Sequence, residues 1–295
     1  MNWHRLYDRS KWWVCALTYM STIGHLPAEE TVVAVPAPGI DAVVLDIGLH
    51  GGYVSYEERV SIDPTVSEWQ AAAGGVYGVL SGKGRDLNAN LRFNYTRSLD
   101  ETEEWFARGF LAQRNDMEFS ALEFVGEVGF PFEIDGSTEF IPHLGLGYRY
   151  QQFSRSDFQT AAPGFSDLGR VDETYDLIFL NAAVVVDHAF SIESGVKVRA
   201  DIGWFLHNEA ENSYVGEVIE GDGGFFTRLA ADWYWNIQPD QQLGLGVYFE
   251  HQALRGSVDT FSIESSGQGR QEFIVEWPDN DLDRVGVKAG WHLNF

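Results

Sequence analysis

Apolar and polar residues alternate along most of this chain. In "LNANLRFNYT", Leu87, Ala89, Leu91, Phe93 and Tyr95 share one parity, and Asn88, Asn90, Arg92, Asn94 and Thr96 share the other. "SIESGVKVRADIGWFL" repeats the theme, with Ile192, Val196, Val198, Ala200, Ile202, Trp204 and Leu206 opposing Glu193, Lys197, Arg199 and Asp201. A period of two sorts these sets onto the two faces of a strand, whereas a helix would mix them around its circumference. Ten such segments are expected, over 43–57, 69–82, 86–97, 118–132, 139–152, 175–188, 191–206, 225–237, 241–254 and 284–295. Each has the 9–11 residues a tilted strand needs to cross a bilayer, or somewhat more. The second is the least decisive, because "AAAGGVYGV" assigns no clear facing.

The connections carry a second signal, because they alternate long and short. "SGKGRD", "EIDGST", "DHAFS" and "NIQPDQ" are tight and rich in turn formers. The stretches 58–68, 98–117, 153–174, 207–224 and 255–283 read as long loops. For 98–117, with "EEWFARGFLAQ", three alternatives stay open: an extension of the sheet, a short helix, or an inward constriction. No linker interrupts the pattern, so 43–295 reads as one all-β domain.

A ten-stranded meander must close on itself or leave two edges bare. Closure gives an antiparallel transmembrane β-barrel of about ten strands (eight at the least, twelve at the most), with short periplasmic turns and long extracellular loops. The charged face decides between lipid outside and water outside. On the early strands it carries Asp46, Arg92, Glu123, Glu127 and Arg149, with Asp187 and Glu193 after them. On the later strands it carries Lys197, Arg199, Asp201, Arg228, Asp232, Glu250, Arg284 and Lys288. Acids and bases in near balance can pair across a lumen while the apolar face meets lipid. His50, His143 and His292 are expected to join this lining, among inward glycines such as Gly48, Gly147, Gly203 and Gly290. Trp204, Trp233, Trp235 and Trp291 fall at strand ends, as interfacial belts require.

Composition sharpens the class. Glycine (31), Trp (10), Tyr (12) and Phe (20) favour strands and turns, and a formal charge of −24 argues against nucleic-acid binding. The single cysteine, Cys15, forms no intrachain disulfide. Residues 1–28 have the layout of a secretory signal: Arg5, Arg9 and Lys11, then "WWVCALTYMSTI", then Ala28 before two acids. Val14 before Cys15 argues against a lipoprotein site. Residues 29–42 form a Pro/Ala-rich periplasmic lead-in, and no later stretch has the eighteen consecutive apolar residues of a membrane helix.

The last segment, "VGVKAGWHLNF", alternates Val285, Val287, Ala289, Trp291, Leu293 and Phe295 with smaller or polar residues. It resembles the carboxy-terminal strand of Gram-negative outer-membrane β-barrel proteins, a superfamily of porin-like and small barrels. That resemblance implies a bacterial outer-membrane location, contact with outer-membrane lipid and lipopolysaccharide, and recognition by the barrel assembly machinery. Val287, Ala289, Trp291, Leu293 and Phe295 would form the assembly signal, and the last strand would pair with the first.

The charged lining among inward glycines points to a narrow channel for small polar solutes or ions, with no cofactor. The alternative is a closed, filled barrel acting as a surface scaffold or adhesin through acidic loops. Those loops hold Glu209, Glu211, Glu217, Glu220 and Asp222, and further on Asp279, Asp281 and Asp283. Clustered carboxylates suit divalent cations, but "DNDLD" is no EF-hand, because Arg284 and Gly290 replace its glycine and its bidentate glutamate. Catalysis is not expected. Omptin proteases, ten-stranded barrels of the same compartment, carry paired aspartates opposite an Asp–His couple. His207 with Glu209 resembles the couple, but the opposite rim offers only Asp100, Glu101, Glu103 and Glu104. Lipid A deacylases use a His–Ser pair, and His251 and Ser257 are too far apart in register.

Overall fold

The computed structural model describes residues 41–60, 65–160, 169–214, 216, 218–265 and 269–295. The expected signal segment with Cys15, nearly all of the lead-in, and Glu217 lie outside them.

The alternation is realised as strands β1 (Ala42–Val60), β2 (Thr65–Lys83), β3 (Asn88–Ser98), β4 (Glu101–Ala107) and β5 (Phe110–Gly129). They are followed by β6 (Phe132–Asp135), β7 (Thr138–Thr160), β8 (Val171–Ala189), β9 (Ser194–Asn212) and β10 (Val218–Glu220). Last come β11 (Gly224–Gln238), β12 (Gln241–Leu254), β13 (Ser257–Ser265), β14 (Gly269–Trp277) and β15 (Asp279–Asn294). β3 and β4 both run antiparallel to β2 and β5, so together they form one stave of the wall. With β1, β2, β5, β7, β8, β9, β11, β12 and β15, they make a closed antiparallel barrel of ten staves. The seam is β1 against β15, in register from Val44↔Asn294 to Arg59↔Asp279. All ten expected segments are staves.

The wall is much taller than the sequence pattern implies. β7 runs for 23 residues and β1 for 19, where about 10 cross a bilayer. The stretches read as long loops are therefore corrected: most of each is strand. Residues 98–117 extend the sheet, as β4 and the start of β5 joined by a turn at Arg108 and Gly109, both with positive φ (52° and 81°). β13 and β14 form a separate two-stranded sheet.

Outward-facing residues explain the extra height. Toward the tight turns, the outer wall shows Ile47, Leu49 and Tyr53 on β1, Leu144 and Leu146 on β7, and Val285 and Val287 on β15, all exposed. Toward the other end, which we call the tall end, the same faces turn polar at Ser55 and Glu57, at Gln152 and Ser154, and at Asp283 and Asp281. The interior does the reverse. Near the turns it is ionic, and at the tall end it is an aromatic core of Tyr56, Trp69, Phe119, Phe153, Tyr175 and Leu177 with their neighbours. The barrel is thus built as a membrane protein in one half and as a water-soluble one in the other, each half burying the face its solvent rejects.

Candidate functional site

The lumen is organised in three levels. The first, toward the turns, is a chamber of about 220 Å³. Inward side chains of β1, β2, β3, β9, β11 and β15 line it, because successive residues of a strand alternate between lumen and lipid. Its mouth carries ion pairs between Lys197 and Asp187 (3.3 Å), Lys288 and Asp232 (2.8 Å), and His292 and Asp46 (3.6 Å). Deeper in, Arg199 bridges Glu127 at 2.7 Å and Asp201 at 2.6 Å. Arg92 stands 3.1 Å from Asp201 and 3.6 Å from Glu127. His143 lies 3.7 Å from Glu127, and His50 meets the Tyr248 hydroxyl at 3.3 Å.

The second level closes the chamber. Arg149 Nε donates to Glu123 Oε2 at 2.9 Å, and Arg228 donates to Glu123 at 2.9 Å and to Glu250 at 2.6 Å. Arg284 also reaches Glu250. Arg149 is fully buried, with Phe226 facing its guanidinium at 4.8 Å. Side-chain exposure falls from 30% at Asp46 and Lys197 to 10% at Arg228 and 0% at Arg149. Solvent therefore enters from the turn end and stops at this layer. All sixteen side chains expected in the lumen lie inside the barrel. Glu193, placed with them by parity, instead lies in the turn between β8 and β9, exposed; the strand pairing stops at Ser194–Gly195, so the parity no longer applies.

The third level was missed in the sequence. Within the aromatic core, Arg155 Nε donates to Glu103 at 2.8 Å and Nη1 to Glu173 at 2.7 Å, while Nη2 lies 3.2 Å from Glu58. The Tyr56 hydroxyl donates to Glu58 at 2.8 Å and that of Tyr175 to Glu173 at 2.5 Å. Three carboxylates thus converge on one guanidinium, and none of the four side chains is more than 5% exposed. Burial, reinforced by the charge of Glu173, pushes Glu58 up to about 8. Burial would raise Glu103 too, but Arg155 and hydrogen bonds from Ser67 and Asn115 hold it below the usual carboxylate range.

The remaining candidates stand on the outer wall. His207 meets Glu209 at 3.3 Å, partly exposed and facing away from the lumen. His251 Nδ1 lies 2.8 Å from Asp283, on the neighbouring stave, and Ser257 donates to the Glu220 carbonyl at 2.7 Å. Asp279, Asp281 and Asp283 diverge to three partners, the Gly256 amide (2.7 Å), Arg59 (3.0 Å) and His251. Among the described residues, no three His, Cys, Asp or Glu side chains are grouped to hold a metal ion.

Comparison with models of known protein families finds no match, and neither does a search of curated proteins. Among solved structures, the barrel is similar to the outer-membrane protease OmpT from Escherichia coli. The TM-score is 0.64 at 10% identity, over 90% of this chain and 99% of that one. The transport unit of the autotransporter AIDA-I from Escherichia coli matches more loosely, with a TM-score of 0.41 at 7% identity over 94% of this chain and 96% of that one. At such identities the likeness establishes the fold, that of outer-membrane β-barrels, and not an activity.

Proposed function

We propose that the protein is an outer-membrane barrel that is closed to transit and acts through its tall end as a surface scaffold. One observation carries this reading. Arg149, Gln151, Phe153, Phe119 and Phe179 have at most 1% of their surface exposed, which supports an interior packed shut, among the described residues, between the chamber and the aromatic core. A selective pore needs a wetted constriction, and a packed interior offers none. The exposed apolar belt, with Trp204, Trp233, Trp235 and Trp291 on its outer surface, faces lipid. The tight turns then sit in the periplasm and the tall end projects outside.

The projecting wall is acidic. Four of its arginines are engaged with carboxylates: Arg59 with Glu57, Arg97 with Glu118, Arg114 with Glu104 and Arg170 with Asp172. Glu68, Glu211 and Asp279 add exposed carboxylates. Such a surface suits a basic protein partner, or lipopolysaccharide bridged by divalent cations. The reading is non-enzymatic. The His207–Glu209 couple faces outward, and the opposite rim spends Glu103 on Arg155.

Conductance of the refolded chain in a planar bilayer tests closure. Folded protein that gives no current supports the scaffold. Discrete, salt-dependent steps that shift on Glu127→Ala would restore the narrow channel.

A further inference from the structure

The floor of the chamber carries one positive charge more than its acids balance, and the inference drawn from it rests on the closed-barrel reading. Arg149, Arg228 and Arg284 converge there on two carboxylates, Glu123 and Glu250. The next layer toward the mouth is even, with Arg92 and Arg199 against Glu127 and Asp201. The mouth has no excess of cations either. Lys197 and Lys288 are matched by Asp187 and Asp232, and Lys83 lies in the field of Glu139. A buried cation short of its counter-charge is costly. With the aromatic core packed on the other side, the counter-charge can come only through the chamber.

Two of these guanidiniums have donors to spare, and solvent reaches them. Arg228, on β11, gives Nε to Glu250 and Nη2 to Glu123; among the described residues its Nη1 has no acceptor. Arg92, on β3, gives only Nη1, to Asp201, which leaves Nε and Nη2. None of these three nitrogens is sealed from solvent. The two side chains keep 10% and 16% of their surface exposed, and both line the chamber. They also meet at one place. Asp201 is the direct register partner of Arg228, and Arg92 reaches that same Asp201 at 3.1 Å from the far wall.

Charge and donor geometry together define the complement. The excess is a single charge, so the complement is a monoanion. Open N–H groups on two separate guanidiniums call for two acceptor atoms, and a carboxylate spreads its one charge over two oxygens. A halide offers a single centre, and an ammonium or an uncharged amide would leave the excess in place. We propose that the blind end of the chamber binds a small monocarboxylate entering from the turn end, held between Arg92 and Arg228. Arg284 supplies the charge that admits it.

The test is ligand-observed saturation-transfer NMR on the refolded full chain in deuterated detergent, with acetate, acetamide and methylammonium as probes. Transfer to acetate alone is expected. Arg284→Met evens the floor without stranding Glu250, which keeps Arg149 and Arg228, and should weaken acetate binding about tenfold. Arg92→Gln removes two of the open N–H groups while Asp201 keeps Arg199, and gives a second reading should the first variant not fold. A gel shift on heating verifies folding of each. No transfer to acetate from folded wild-type protein overturns the proposal. So does equal transfer to acetamide, or undiminished transfer in the folded variants. Acetate binding by a barrel that conducts would remove the closed-barrel reading and keep the anion site. Silence from a barrel that does not conduct would do the opposite.

Discussion

The ring of Phe179 occupies the space that a Cβ on Gly147 would fill. The two are directly paired across β7 and β8, and the ring meets Phe226 edge-on at 4.9 Å. Phe226 in turn fills the space over Gly203. These glycines are inward, and their missing side chains let large rings cross the lumen and seat beneath Arg149. Gly147→Ala forces the ring off its rotamer or displaces the backbone. Overpacking of this kind costs about 1–3 kcal/mol. Lowered stability to heat in the single variant is expected, with recovery in Gly147→Ala/Phe179→Leu. A fully stable single variant would mean that the ring has room to move.

Among the described residues, Arg155 is the one cation paired with Glu58, Glu103 and Glu173. Replacing it with Met leaves buried carboxylates uncompensated, and breaking a buried pair in this way costs about 3–5 kcal/mol. The loss should be confined to the tall end, because the apolar belt and the Arg149 layer do not depend on it. Proteolysis of Arg155→Met is therefore expected to trim the tall end and spare the membrane-spanning half. Adding Glu103→Gln should return part of the protection. Uniform degradation of the whole barrel would show that the two halves fold as one unit.

The same cluster sets a dependence on pH. Glu58 is pushed up to about 8 in the folded protein, from 4.5. Its protonated form therefore favours the native state. The stabilisation is complete below about pH 4.5 and is lost as pH rises through 8, by at most about 5 kcal/mol. Tall-end stability should fall between about pH 4.5 and 8 in the wild type and level off above that. Glu58→Gln, which cannot ionise, should flatten that slope. Hydrogen exchange of β1 and β8 amides above Tyr56 and Tyr175 reads it directly. An unchanged slope in Glu58→Gln would assign the transition elsewhere.

The membrane half was legible because its two faces differ sharply at a strict period of two. Leu91 against Arg92 and Trp204 against Asp201 needed only that parity. The tall half obeys the same period with the faces exchanged. Along β7, Tyr148 and Leu146 face out while Arg149 and Gly147 face in; a few residues later Ser154 faces out and Phe153 in. At the crossover both faces are mixed, as in "YQQFS", and the alternation fades to the eye. Glu58, Glu103, Arg155 and Glu173 all fall beyond such crossovers, in stretches that read as loops. The available signal was the inverted parity itself: Phe153, Tyr175 and Leu177 spaced by two among Ser, Thr and Asp. Closure of the seam was legible from the last strand, whereas filling of the lumen depended on distant pairs such as Gly147 with Phe179, which no local pattern records.

The last strand offers a separation of two roles. Phe295 is 75% exposed, and its amide donates to the Val43 carbonyl at 2.9 Å, completing the seam between β15 and β1. Leu293 pairs with Leu45 just inside it. Phe295→Ala keeps the backbone bond and removes only exposed apolar surface, so the refolded barrel should stay within about 0.5 kcal/mol of the wild type. If the side chain is read by the assembly machinery during insertion, the yield of folded barrel in bacterial outer membranes should still drop several-fold. Leu293→Ala, at the seam itself, should lower both quantities. Wild-type yields for Phe295→Ala in cells would show that the terminal ring has no part in assembly. The closure of the barrel would then rest on β15 register alone.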